Sequence, residues 1–150
     1  MIKVERAGRE DIPALCALEN ECFQTPWGSK SFEDFFDLDF TIALKAVVGQ
    51  SVAGYAGLYI SGSDGYITNV AVTAAMRRKG VGRTLIKELK NLPEVENLFL
   101  EVRESNLPAI TLYESEGFLR DGVRKNFYSN PRENAILMSH KRKNNADIII

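Results

Sequence analysis

Apolar positions along this chain recur in two rhythms, alternating in some stretches and spaced by three or four in others, and the changes between them mark out the elements. "IKVERA" near the N-terminus reads as a first strand. "REDIPALCALENECF" then sets Ile12, Leu15, Leu18, Cys22 and Phe23 at helical spacing, with Asp11 as a candidate N-cap before Pro13. The pattern breaks at Pro26 and Gly28, and a short helix is expected through Phe32, Phe35 and Phe36, capped by Ser29 or Ser31. Three strand-like runs follow, "TIALKAVV", "SVAGYAGLYI" and "GYITNVAV", separated by the hairpin signals "GQ" and "SGSDG". They predict an antiparallel meander. A helix comes next, with Val81, Leu85, Ile86 and Leu89 on one face, then the buried-looking strand "NLFLEV". "LPAITLYESEGF" predicts another helix that ends near Gly117, a candidate C-cap, before "FLRDGVRKNFY" and "NAILMSHK" close the chain as strands. The order β-α-α-β-β-β-α-β-α-β-β implies an α/β protein with one mixed, mostly antiparallel sheet flanked by helices.

Composition narrows the function classes. The chain has 150 residues, enough for one domain with a real core, and 45% hydrophobic and 26% charged residues suit a soluble globular protein. A net charge of -1 argues against wholesale nucleic-acid binding. No apolar run approaches the ~18 residues of a membrane span, and charges from Lys3 onward interrupt any signal-peptide core. A cytoplasmic protein is expected. Cys16 and Cys22 would lie on one helix about 9 Å apart, beyond disulfide reach, so two reduced and mostly buried thiols are expected. That spacing also suits no shared metal ion, and the single histidine, His140, is distant and reads as a strand-end surface residue; no metal is expected. The domain is expected over residues 1–143, with residues 144–150 as a tail whose three isoleucines have no explanation.

The candidate chemistry starts at "AAMRRKGVGRTLIKEL". Its glycine spacing matches neither the Walker A loop nor the dinucleotide fingerprint, because Arg83-Thr84 and Leu85 stand where those motifs need other residues. The physical parts of an anion site are still present: glycines that allow close backbone approach, and a helix N-terminus with free N–H groups. Arg77, Arg78, Lys79, Arg83, Lys87 and Lys90 face only Glu88 in the same stretch, an imbalance that a plain loop-to-helix start does not explain.

"NVAVTAAMRRKGVGRTLI" resembles the acetyl-CoA motif of the GCN5-related N-acetyltransferases, a strand followed by (Q/R)-x-x-G-x-(G/A) and a helix, with Arg77 in the first position. The resemblance implies that the backbone of Arg78, Lys79, Gly80, Val81, Gly82 and Arg83 holds the pyrophosphate of coenzyme A. It also implies that the strand through Val70, Ala71 and Val72 pairs with the pantetheine arm. "CFQTPWGSKSF", "LEVRESNLPAITLYESEGF" and "NFYSNPRENAILM" are similar to the branch that acetylates the N-terminal alanine of a ribosomal protein, and together these blocks reach from residue 22 to 138. The expected partners are acetyl-CoA and the N-terminal peptide of a ribosomal protein.

Acetyl transfer needs a neutral amine, and an α-amine with a reference pKa near 7.7–8.0 loses its proton more readily than a lysine near 10.4. Glu101, at the end of its strand, reads either as a salt-bridged surface acid or as the base; the resemblance implies the base. Tyr113 reads either as a half-buried aromatic or as the acid that protonates the leaving thiolate, and the resemblance implies the acid. Asn106 reads as a helix cap, as a cofactor contact, or as both. Glu33, Asp34, Asp37 and Asp39 form either a solvated face or an attraction for a basic peptide, whose groove Trp27, Phe127 and Tyr128 could line. Trp27 reads equally as a core plug. Two positions depart from the resemblance, Gly28 where a Ser commonly follows Pro-Trp and Asn134 where an Asp is common. Neither cysteine lies near the motif in sequence, which favours direct attack over an acetyl-cysteine. The rivals are acetylation of another amine and a non-catalytic binding module.

Overall fold

One seven-stranded sheet organises the computed structural model, which describes residues 1–142. The proposed tail at 144–150, and residue 143 before it, lie outside the described residues. The elements run β1 (Ile2–Arg6), α1 (Ile12–Cys22), α2 (Ser29–Asp37), β2 (Thr41–Val48), β3 (Ser51–Ser61), β4 (Asp64–Val72), α3 (Val81–Lys90), β5 (Asn97–Arg103), α4 (Leu107–Ser115), β6 (Leu119–Tyr128) and β7 (Glu133–Lys141). Their order matches the expected one, as does the β2–β3–β4 meander.

The spatial order is β1-β2-β3-β4-β5-β7-β6, so β7 returns between β5 and β6 and leaves β6 at the edge. Only β4 and β5 are parallel, with α3 as their crossover. They pair at Asp64–Asn97, Gly65–Leu98 and Tyr66–Phe99 and then part, whereas β5 stays paired with β7 as far as Arg103–Ala135. A bulge bends β4 at the start of the gap: Asn69 pairs with Gly57 and Ile67 with Leu58, which leaves Thr68 as the extra residue.

Alternation along β3 sends Tyr55 to one face and Ala56 to the other. On the first face α1 and α2 bury Leu15, Leu18 and Phe32 against Tyr55 and Ala71. On the second, α3 and α4 bury Leu85, Ile86, Leu89 and Ile110 against Leu44, Leu58, Leu98 and Met138. Each such side chain, fully buried, is worth about 1.5–3 kcal/mol. No helix among the described residues is long and apolar enough to cross a membrane.

The caps differ in detail from the expected ones. Gly28, and neither Ser29 nor Ser31, is the N-cap of α2, and a side chain added there would meet nothing within 4 Å. A serine therefore fits at this position, and its absence leaves one capping bond unmade. Asp11 precedes α1 as expected, but its carboxylate accepts from Gly8 N at 2.9 Å and from Lys45 Nζ at 2.7 Å instead of capping. Gly117 follows α4 with φ +92°, the left-handed turn that ends helices. His140 is half-buried against Phe118, 5.5 Å between ring centroids, and not a plain surface residue; burial first, then Lys90 and Arg142, lowers its pKa.

Glu116, the last residue before that turn, has a side chain only 4% exposed and gathers Arg83 at 2.5 Å and Lys87 and Lys90 at 3.3 Å. Burial alone would raise its carboxyl, but the three cations hold it below the usual carboxylate range. The stability this adds is complete above the unfolded carboxylate range and is lost as pH falls through the folded pKa. Replacing Glu116 with Gln should cost about 1–3 kcal/mol at neutral pH. Urea titrations should show this cost shrinking toward zero below about pH 4, as the wild-type carboxylate protonates.

Candidate active site

The gap between β4 and β5 is a break in a sheet whose other neighbours remain paired, and it exposes backbone groups on β4. Thr73 N donates to Ala53 O on β3, so alternation turns the backbone groups of Val70 and Val72 toward the gap, while Ala71 packs into the core. At the end of β4 the chain makes one tight turn over Ala74–Met76 and then enters α3 through two positive-φ residues, Arg78 (φ +62°) and Gly80 (φ +87°). Such alternation of handedness gathers successive N–H groups into an anion-binding concavity. The first bond into α3 is Thr84 N to Gly80 O at 3.0 Å, so the N–H groups of Val81, Gly82 and Arg83 have no carbonyl one turn back. With the helix dipole behind them they form a ready anion cradle.

The basic side chains around this cradle mostly serve the fold. Arg83, Lys87 and Lys90 converge on Glu116, and Arg77 Nε donates to Val72 O at 3.1 Å. Arg78 and Lys79 are exposed. The charge imbalance noted in the sequence is thus half a buried ion cluster. Cys22 corrects another expectation: its thiol donates to Val72 O at 3.4 Å, which puts it against the cradle although it is remote in sequence. Both cysteines are free and half-buried.

Glu101 projects from β5 on the face away from α3 and α4, into a groove of about 620 Å³ that Tyr66, Phe99, Phe127, Tyr128 and Leu137 also line. Arg124 of β6 donates Nη1 to Glu101 Oε1 at 3.1 Å. Tyr113 lies in the core cluster on the opposite face, and burial first, then the nearby Tyr128, pushes its phenol up to about 12. Tyr128 is within electrostatic reach of both groups: burial raises its own pKa most, with Glu101 next. Tyr128 shares the groove lining with Glu101. Asn106 caps α4, with Oδ1 accepting from Ala109 N at 3.3 Å.

Arg103 was missed in the sequence. Its guanidinium donates to Ser129 O (3.0 Å), Pro131 O (3.0 Å) and Glu133 Oε1 (3.1 Å), and lies 4.5 Å from the centre of the Tyr128 ring. Glu133 in turn accepts from Ser105 N at 2.5 Å. Arg103 therefore pins the β6–β7 loop, and Tyr128 with it, to the strand that carries Glu101. The available signal was its spacing of two from Glu101, which puts both on one face. Asn134 does an aspartate's work here, since Oδ1 accepts from Asn126 N at 3.0 Å.

A family model described as acetyltransferase (GNAT) family matches residues 12–118, which include the cradle, β5 and α4. The chain belongs to the GNAT family. Two curated relatives extend the likeness. The [ribosomal protein bS18]-alanine N-acetyltransferase of Salmonella typhimurium is 34% identical over 134 residues, 86% of this chain and 90% of that one. The N-alpha-acetyltransferase RimI of Mycobacterium tuberculosis is 30% identical over 126 residues, 80% of each chain. Among solved structures, the ribosomal-protein-S18-alanine N-acetyltransferase of Escherichia coli superposes with a TM-score of 0.89 at 28% identity, covering all of both chains. Arabidopsis thaliana NAA60 in complex with acetyl-CoA shares the GNAT fold at a TM-score of 0.82 and 18% identity, over 94% of this chain and 98% of that one.

Within this GNAT fold the Pro-Trp segment is a plug. Trp27 packs edge-on to Phe32 and Phe35, centroids 5.2 and 5.8 Å apart, and does not line the groove as Phe127 and Tyr128 do. Its backbone N–H donates to Glu19 Oε1 at 2.9 Å. Glu19, 1% exposed, also accepts from Tyr55 Oη at 2.5 Å and Asn69 Nδ2 at 3.1 Å. One carboxylate thereby ties the α1–α2 loop to β3 and β4. The signal for it was an acid four residues after Leu15, on the apolar face of α1. The acidic run after α1 is partly neutralised, because Asp37 pairs with Arg9 and Asp34 with Lys30. Replacing Glu19 with Ala leaves the Trp27 N–H and the Tyr55 hydroxyl without their acceptor, while Asn69 keeps Tyr55 Oη, and should destabilise the protein by about 1–3 kcal/mol in urea unfolding. Tyr55→Phe, which leaves the carboxylate its other two donors, should cost less.

Proposed function

We propose that this GNAT protein is an Nα-acetyltransferase that takes its acetyl group from acetyl-CoA and modifies the N-terminal residue of a ribosomal protein. The observation that carries this reading is the wedge between β4 and β5, with an anion cradle at the α3 end and a groove holding Glu101 beside it. The cradle residues suit a pyrophosphate, since their donors are backbone N–H groups and Gly80 supplies the positive φ that a side chain would strain. Val70 and the N–H of Val72 offer extended backbone suited to an amide-bearing arm, as β-strand addition uses, while the Val72 carbonyl is already held by Arg77 and Cys22. The relatives named as ribosomal-protein-alanine N-acetyltransferases support the acceptor, and with it a cytoplasmic location beside the ribosome.

In this reading Glu101 takes a proton from the acceptor's α-ammonium, directly or through water. The freed nitrogen attacks the thioester carbonyl and the C–N bond forms; as the C–S bond breaks, Tyr113 protonates the departing thiolate, the nitrogen's second proton passes to water, and Tyr113 is reprotonated from solvent. A phenol near 12 stays protonated at neutral pH and so is available as the donor. Asn106 and the backbone of residues 78–83 hold the donor substrate, while Tyr128 and Phe127 shape the acceptor side. Cys22 donates to Val72 O, on the strand assigned to the pantetheine arm, so direct attack rests on the groove alone: neither Cys22 nor Cys16 lines the groove that holds Glu101.

The decisive experiment incubates a panel of N-terminal peptides and acetyl-CoA with the protein and reads products by mass spectrometry. Acetylated α-amines are the expected result; acetylation confined to lysines or small amines would overturn the acceptor assignment. Glu101→Gln should lower turnover about 10²- to 10⁴-fold while calorimetry finds acetyl-CoA affinity unchanged.

A further inference from the structure

Arg124 is used by neither the fold nor the reaction described above. Of the other guanidiniums near the groove, Arg103 is committed to the β6–β7 loop and Arg120 lies beside Glu114 of α4. Arg124 reaches the proposed base, 3.1 Å from Glu101 Oε1. Its side chain is 58% exposed, so it can leave without disturbing the core. In the same conformation its Cζ lies 5.0 Å from the centre of the Phe127 ring, a cation–π distance, so the guanidinium holds both contacts at once. Other groups with charge or titratable protons on the groove are Tyr66, Asp121, Tyr128 and Lys141, and none of them is hydrogen-bonded to Glu101.

We propose that Arg124 is a placeholder for the acceptor's N-terminal ammonium: its guanidinium pairs with Glu101 and is displaced by the incoming cation. This rests on Glu101 as the group that meets the acceptor amine. The incoming ammonium competes with the guanidinium for Glu101, so Arg124 weakens the binding of a free amine and has no such effect on a formylated terminus. The displaced guanidinium keeps its contact with Phe127. Arg124 is thus a positioning residue that sets how tightly Glu101 holds the acceptor amine.

The test uses full-length protein saturated with coenzyme A, so that no acetyl transfer occurs, and an alanine-initiated hexapeptide with either a free or a formylated N-terminus. Arg124→Met keeps much of the stem and removes the charge. It should bind the free-amine peptide about two- to five-fold tighter than wild type, the range of an exposed ion pair, and leave the formylated peptide unchanged. Arg124→Lys should return affinity toward wild type, and the Met variant's gain should shrink as salt rises. Equal changes for both peptides, or no change for either, would overturn the proposal. So would a gain that persists when Glu101→Gln is added. A Glu101→Gln enzyme that turns over normally would instead sink the base assignment, so the two failures are told apart.

Discussion

The parting of β4 from β5 after three residue pairs is the constraint on which the rest of this protein depends. Several features hold the strands apart. The Thr68 bulge bends β4, and β7 holds β5 along its whole length. Gly54 lets β3 and the start of α3 close on β4, where a Cβ would stand 2.8 Å from Ala71 O. A gap in a sheet exposes unsatisfied backbone groups, which cost free energy unless a ligand or solvent meets them. Here the break lies beside a helix N-terminus and the groove that holds Glu101.

Two buried carboxylates secure the wedge, one on each face of the sheet. Glu19 joins the α1–α2 loop to Tyr55 and Asn69, and Glu116 joins α3 to the turn after α4. Each has nearly all its surface removed from water, and each is matched by several donors, which is the condition for a buried charge to be tolerated. Glu19 thereby fixes the first helix layer to β3 and β4, and Glu116 fixes α3 to the end of α4. Arg103 acts similarly at the far end, where it holds Tyr128 to the strand that carries Glu101.

Much of the site was legible in the chain because its parts are local. The cradle is six consecutive residues whose spacing and glycines state their backbone geometry, and the structure finds Arg78 and Gly80 at positive φ there. The base and acid candidates lie within one block after β5. What was not legible depends on pairing across the fold. Six basic residues in one stretch were a charge imbalance with no local partner, yet three of them answer Glu116, an acid 26 to 33 residues later. Cys22 lies about fifty residues from Val72 in sequence and within hydrogen-bond reach of it in space. Trp27 read as either groove or plug, and only the edge-on packing against Phe32 and Phe35 decides for the plug.

By itself the amino-acid sequence determined the element order, the meander, the helix entry that makes the cradle and the resemblance to the GNAT family. Those follow from periodicity, turn chemistry and motif spacing, all of which act over a few neighbouring residues. Tertiary structure alone decided that β7 inserts between β5 and β6, that β4 and β5 separate, and that Glu101 faces Arg124. It also decided which charges became internal. Strand order and ion pairing are settled by the burial of whole faces against one another, and that competition has no signature in any short stretch of chain.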